Sequence, residues 1–323
     1  QAPLYQPGVP IYEAYAGMLQ HANSLDTLVQ RTGNRASTQA ADGSASGNGV
    51  WVRVQGADQR FRPEVTTSST DYDVQAWTSE LGVDTPLSES TGGRLVGGAT
   101  LRYGRYDTDA SSQHGNGRIR TDGYGVGISL TWYDESGFYA DGQARWNRSD
   151  SDLRSTALGQ LLESGNDAKS YAWGVEIGQK FATGEHVSLV PQAQVTWGEA
   201  KFDQFDHASD LHLSHRDGKV ATARAGLTVD WRGVRDGASG AVDTHVYAIA
   251  NLYRNLRDNV WLDVAGTRLD TRNERDWAGF GVGGSLDWAG GRYSLYGEVT
   301  GRTGLTNGDS DAVNATLGFR TQW

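Results

Sequence analysis

From Tyr124 to Tyr133 the chain alternates with a period of two. Tyr124, Val126, Ile128, Leu130 and Trp132 share one face; Gly125, Gly127, Ser129, Thr131 and Tyr133 share the other. Successive side chains of a strand point to opposite faces, so this is the signature of a strand and not of a helix. What constrains the fold is that the pattern recurs along almost the whole chain. Phe138, Ala140, Gly142, Ala144 and Trp146 oppose Tyr139, Asp141, Gln143, Arg145 and Asn147. Tyr171, Trp173, Val175, Ile177 and Phe181 oppose Ala172, Gly174, Glu176, Gly178 and Lys180. The runs from Ala223 to Trp231 and from Ala278 to Trp288 behave alike. About twelve segments of roughly 10 to 15 residues can be counted, the length that tilted transmembrane strands need. A soluble sandwich also alternates, but with its polar face outward. Here the apolar face keeps large aromatics at strand ends and small or aliphatic residues between them, as a lipid-facing band with two girdles should. The opposite face is polar or Gly, as expected of a narrow wet lumen.

The chain ends in the same pattern. Val313, Ala315, Leu317, Phe319 and Trp323 lie on one face of the last segment, which reads as an outer-membrane ending with Leu317, Phe319 and Trp323 as its assembly signal. Mean hydropathy is -0.55, and no apolar run approaches the roughly 20 residues of a membrane helix. Neither observation counts against a barrel, in which only every second residue is apolar. Among 323 residues, 43 Gly against 6 Pro, with 11 Trp and 14 Tyr, favour turn-rich, girdle-rich β structure. The lack of Cys suits a chain that crosses an oxidising compartment before folding. No signal peptide opens the sequence, so an exported chain would be a mature fragment. A net charge of -10 argues against nucleic acid as a partner.

Connections alternate between short links, such as 134–137, 182–186 and 289–292, and long polar ones, at 108–118, 149–169, 203–217 and 255–275. Short turns on one side and long loops on the other are the outer-membrane arrangement. Residues 260–272 are read as part of an outer loop, since a thirteenth strand would put the end of the chain on the wrong side. The registers near Trp51, Tyr72 and Tyr247 stay open.

The first 48 residues differ from the rest. Pro10 suits the start of a helix, residues 11–31 hold no Pro and only Gly17, and Gly33 supplies a stop. That is about 32 Å of helix, close to one hydrocarbon thickness. Tyr12, Tyr15 and Leu19 stand among Glu13, Asp26 and Arg31, a surface too polar for lipid. A pore of twelve strands has room for about one helix. The expectation is therefore an all-β, 12-stranded antiparallel transmembrane barrel over 49–323, with residues 1–48 forming a pore-spanning helix and linker. Arg102, Arg145, Glu176, Lys180, Arg224, Glu298 and Arg320 are the candidate lumen residues facing that helix.

Taken in order, the pore-length helix, the linker, the first strand G-V-W-V-R-V-Q-G, the alternating strands and the terminal aromatic resemble the translocator domain of a type Va autotransporter. The resemblance is to the pertactin-type Bordetella members and runs from Tyr12 to Trp323; the terminal Trp replaces the commoner Phe. It implies an outer-membrane domain that takes part in secreting its own N-terminal passenger to the cell surface and anchors it. The implied partners are that passenger, the barrel-assembly machinery, periplasmic chaperones and the lipopolysaccharide-bearing membrane. The domain would act as a monomer, without cofactor, metal or enzymatic step. Some members cut the passenger within the pore helix by cyclisation of an Asn, for which Asn23 is the weak candidate here.

The sequence also offers residues for other chemistry. Asp107, Asp109, His114, Asp203 and His207 could form the rim site of a barrel hydrolase, if they came within hydrogen-bond reach. A diffusion porin is the second alternative, although it would more often have about 16 strands and no leading plug. His207, His212 and His215 share a loop, but a spacing of three puts the last two on opposite faces of a strand. Gly123-x-Gly125-x-Gly127 and Gly279-x-Gly281-x-Gly283 precede no helix and are lumen glycines, not nucleotide loops.

Overall fold

A computed structural model describes residues 5–33, 48–203, 205–207, 211–237, 240–257, 259–264, 267–306 and 309–323. Twelve long antiparallel strands make one closed barrel. They are β1 (Gly49–Phe61), β2 (Asp71–Ser90), β3 (Gly93–Ser111), β4 (Gly117–Asp134), β5 (Phe138–Ser155) and β6 (Gln160–Gln179), followed by β7 (Val187–Phe202), β8 (Lys219–Gly237), β9 (Gly240–Arg257), β10 (Asp276–Trp288), β11 (Tyr293–Gly304) and β12 (Asp311–Gln322). Each pairs with its sequence neighbours, and β12 closes on β1 with Gly49 opposite Gln322 and Val54 opposite Leu317. Closure leaves no free sheet edge. The start of β1 and the end of β12 share the rim of short turns, which is the periplasmic one.

One strand, β4, shows how the barrel meets two surroundings. Its outward positions run Arg118, Arg120, Asp122, Tyr124, Val126, Ile128, Leu130 and Trp132 from the outer rim to the inner. From Tyr124 down this face is apolar and open, with Ile128 56% exposed. Above Tyr124 the polarity inverts. Ile119 points inward and is 0% exposed, while Arg118 and Arg120 pair on the outside with Asp109 at 2.8 Å and Asp107 at 3.1 Å. In β5, Leu153 is likewise buried inside, and Arg148 pairs outside with Asp167 of β6 at 2.7 Å. The strands thus continue past the lipid as a water-washed cup. For this reason the expected loops 108–118 and 149–169 are mostly strand, and the turns shrink to 112–116 and 156–159. Once water replaces lipid the outward face becomes polar, but backbone pairing continues.

Residues 260–272 add no barrel strand. Asn259–Val264 and Thr267–Arg272 form a hairpin in a separate five-stranded sheet with Phe205–His207, Leu211–Asp217 and Val65–Thr66. The Gly-rich lumen has a more specific reason than spare room. A Cβ on Gly82 would meet Trp51; on Gly178, Tyr139; on Gly283, Tyr247; on Gly318, Tyr296. Each glycine lets an aromatic ring from the adjoining strand lie flat against the wall.

The leading segment is two helices instead of one: α1 (Val9–Ala22) and α2 (Leu28–Thr32). The break at 23–27 has a local cause. The Asn23 side chain bonds the barrel wall, and Thr27 opens a new helix through a reciprocal capping box with Gln30. Polar side chains that hydrogen-bond locally or to the wall compete with helix continuation.

Candidate functional site

The interior has an upper and a lower part. In the cup, α1 is buried on all sides. Ile11, Tyr12, Tyr15, Met18 and Leu19 pack among Phe61, Tyr72, Val74, Ile119, Leu153, Phe202 and Trp277. Each such side chain removed from water contributes about 1.5–3 kcal/mol. Glu13 is the one carboxylate of this helix. Its carboxylate accepts hydrogen bonds from the backbone N–H groups of Thr67 and Ser68, each at 3.0 Å, and from the Ser68 hydroxyl. Burial raises its carboxyl above the ordinary value, and the Ser68 and Thr67 donors offset part of that rise. The Tyr15 hydroxyl donates to Asn166 at 2.9 Å.

Below the cup, residues 23–33 descend through a polar lumen. Asn23 Nδ2 donates to the Tyr171 carbonyl at 2.9 Å, and Asn23 Oδ1 accepts from Asn147 at 3.0 Å. Carbonyls freed by the helix break find donors on the wall. Arg145 reaches Ser24 O at 3.0 Å, and Gln143 and Gln194 reach Asp26 O at 2.7 and 3.2 Å. Asp26 is gripped by Arg53 at 2.5 Å and Arg145 at 3.4 Å. Arg53 also binds Glu80 at 2.6 Å and the Gln30 carbonyl at 2.7 Å, and Arg102 holds Glu80 from the other side at 2.9 Å. In α2, the Leu28 N–H donates to Glu176 at 3.1 Å, Gln30 to Glu298 at 2.7 Å, and Arg31 to Asp141 at 2.5 Å. Buried charges persist only when paired and hydrogen-bonded, and these pairs join plug to wall.

Of the residues singled out from the sequence, Arg145, Glu176 and Glu298 touch the descending segment directly. Arg102 acts through Glu80, and Arg224 through Glu176 at 3.0 Å. Lys180 and Arg320 sit at the inner rim: the Lys180 N–H bonds Gly137 O at 2.9 Å, and Arg320 faces Asp287 at 3.6 Å. Tyr12, Glu13, Tyr15 and Leu19 belong to the cup and not to the membrane-level pore. Asp26 lies in the break, and Arg31 in α2. The hub Arg53 and its partner Glu80 were missed. In V-W-V-R-V the valines share one face and Arg53 shares the other with the apolar Trp51, so the inward face was obscured until the structure put Trp51, 2% exposed, in the lumen.

Leu317 and Phe319 face outward at the closing seam, and the Trp323 N–H bonds Asn48 O at 3.0 Å. Phe319 joins an inner aromatic ring with Trp288 and Tyr293, at 6.2 and 6.3 Å. Among the described residues the rim acids gather around no histidine. Asp107 and Asp109 are taken by arginines, and His114 stands edge-on to Tyr5 at 5.3 Å. Asp203 accepts from Asn166 through its backbone carbonyl. The side chains of His207, His212 and His215 lie outside the described residues. Among the described residues, no cluster of three His, Asp or Glu is placed to hold a metal.

An apolar outward band between aromatic rings, around a polar lumen closed by its own leading segment, defines an outer-membrane β-barrel of the plugged kind. A family model of the autotransporter β-domain matches residues 50–300, and the chain belongs to that family. It is therefore an outer-membrane translocator domain. It is 41% identical over 337 residues to the BmaC autotransporter adhesin of Brucella suis, covering 100% of this chain and 10% of that protein. Pertactin of Bordetella bronchiseptica is 26% identical over 257 residues, covering 77% of this chain and 26% of pertactin. The chain thus spans about a tenth to a quarter of the curated relatives it matches. The transport unit of AIDA-I from Escherichia coli has the same fold, with a TM-score of 0.77 at 18% identity, 99% of this chain and 100% of that one being covered.

Proposed function

We propose that residues 49–323 take part in moving a passenger, joined ahead of residue 1, to the cell surface, and that residues 1–48 then stay in the barrel and anchor it. The observation that carries this reading is the direction of the plug. The chain leaves the inner rim at Gly33, beneath Tyr296, and reaches the outer rim at Pro7, against Gly115 of the 112–116 turn. Any segment ahead of it would emerge on the outer side. The passenger would cross extended or as a slim hairpin, since a folded domain is wider than this lumen. The outward Leu317, Phe319 and Trp323 suit recognition by the barrel-assembly machinery, with periplasmic chaperones upstream. An adhesive passenger is in keeping with the relatives' names.

Asn23 is read as a clamp and not as a cleaving group. Cyclisation would require Nδ2 to attack its own backbone carbonyl, whereas this nitrogen already donates to the wall. The test is a reporter domain with a protease site, fused ahead of residue 1 behind an export signal in a Gram-negative host. Cleavage of the reporter on intact cells, with no break at Asn23 by intact mass, supports the reading. A reporter that stays protected in the periplasm, beside a folded barrel, refutes it.

A further inference from the structure

Six of the interior arginines share one kind of partner. Arg31, Arg53, Arg102, Arg145, Arg224 and Arg320 each lie within 3.6 Å of a carboxylate oxygen. Arg302 of β11 has no such partner among the described residues. It lies over the Trp277 ring at 5.3 Å, and its Nε is buried without a hydrogen bond. Two further orphan nitrogens belong to the last turn of α1. Gln20 is 4% exposed and its Nε2 has no partner; His21 stacks on Phe61 at 3.8 Å and its Nε2 has none either. All three residues line one cavity of about 130 Å³ between the end of α1 and the wall. Asn255, Asn273, Thr222 and Arg224 are also in its lining, which contains no Asp or Glu.

We propose that this cavity binds a small inorganic oxyanion of the phosphate or sulfate class. Water could satisfy the orphan nitrogens but would not neutralise Arg302, which is half-buried, and a charge partly withdrawn from water without a counter-charge is costly. The helix end offers only part of the compensation, because the Gln20 and His21 carbonyls already accept from the Asn23 and Ser24 N–H groups. A tetrahedral anion presents several acceptors to donors converging from different elements, and its charged hydrogen bonds are the stronger kind. Bound there, it ties α1 to β11 where the cup meets the lumen, and so fastens the plug to the wall.

The test is equilibrium dialysis of inorganic phosphate against the full chain folded in detergent, with Arg302→Gln and Gln20→Leu alongside. Heat-modifiability on gels checks that each variant is folded. The expected result is one phosphate per chain, weakened at least about tenfold in folded Arg302→Gln, as loss of a charged hydrogen bond implies. Gln20→Leu keeps every charge and should weaken binding less; it carries the test if Arg302→Gln does not fold. Absence of phosphate binding at millimolar concentration, or equal binding by the wild type and the folded variants, would overturn the proposal.

Discussion

The cup and the lumen hold neighbouring stretches of one chain by opposite means. In the cup, α1 presents apolar residues to an apolar wall, and Glu13 is its one carboxylate, met by Thr67 and Ser68. In the lumen, residues 23–33 present charges and free carbonyls to a wall of arginines, acids and amides. Outside, the polarity is reversed: ion pairs coat the cup, and aliphatic side chains coat the membrane span. Each region is inside-out with respect to the other. The lesson is that a strand's alternation fixes which residues share a face, while the surrounding solvent decides which face must be apolar.

The contrast can be broken from either side. The largest effect is expected at the lumen hub. Arg53→Met leaves Asp26 and Glu80 short of their shared partner and should cost about 3–5 kcal/mol, as removal of one member of a buried ionic group does, measured as a urea midpoint shift in micelles. Next comes a paired test on one strand. Ile128→Arg on the lipid face of β4 should cost about 2–4 kcal/mol in bilayers, whereas Arg120→Ile on the same face above Tyr124 loses an exposed ion pair worth about 0–1 kcal/mol. Equal costs would mean that the membrane boundary is misplaced. In the cup, Leu153→Ala opens a cavity beside α1 and should cost about 2–4 kcal/mol, with faster proteolysis of residues 9–22 but little change in the lumen.

The smallest effect is a pH dependence at Glu13. Its carboxyl value is raised in the folded cup, chiefly by burial. Between the ordinary and the raised value, folding therefore takes up a proton, and stability falls as pH rises through that window. Protease protection of the cup should be greater at its acid end, and Glu13→Gln should flatten the profile. A wild-type profile that rises with pH there would contradict the assignment.

The barrel was legible because lipid and lumen impose opposite demands on alternate residues, as Tyr124 to Trp132 show. The cup was not: at Arg118, Arg120 and Asp122 the outward face is as polar as a loop, and Ile119 alone carries the inward signal. The helix break was masked in the same way. Thr27 and Gln30 form a capping box visible in the sequence, but the absence of Pro and Gly from 18 to 32 argued for continuity. Which lumen charges meet the plug depends on height in the barrel. That is why Arg145 and Glu176 reach Ser24 and Leu28, while Lys180 and Arg320, on the correct face, lie lower, at the inner rim beside Gly137 and Asp287.

A plug in two parts is tested most directly by single-channel conductance in planar bilayers for three chains: the whole, one lacking residues 1–22 and one lacking 1–33. If residues 23–33 fill the membrane-level lumen and α1 only seats in the cup, the first two should show small, flickering conductance and the third a large, steady pore. A fully open pore on removal of 1–22, or the same conductance from all three, would contradict that division.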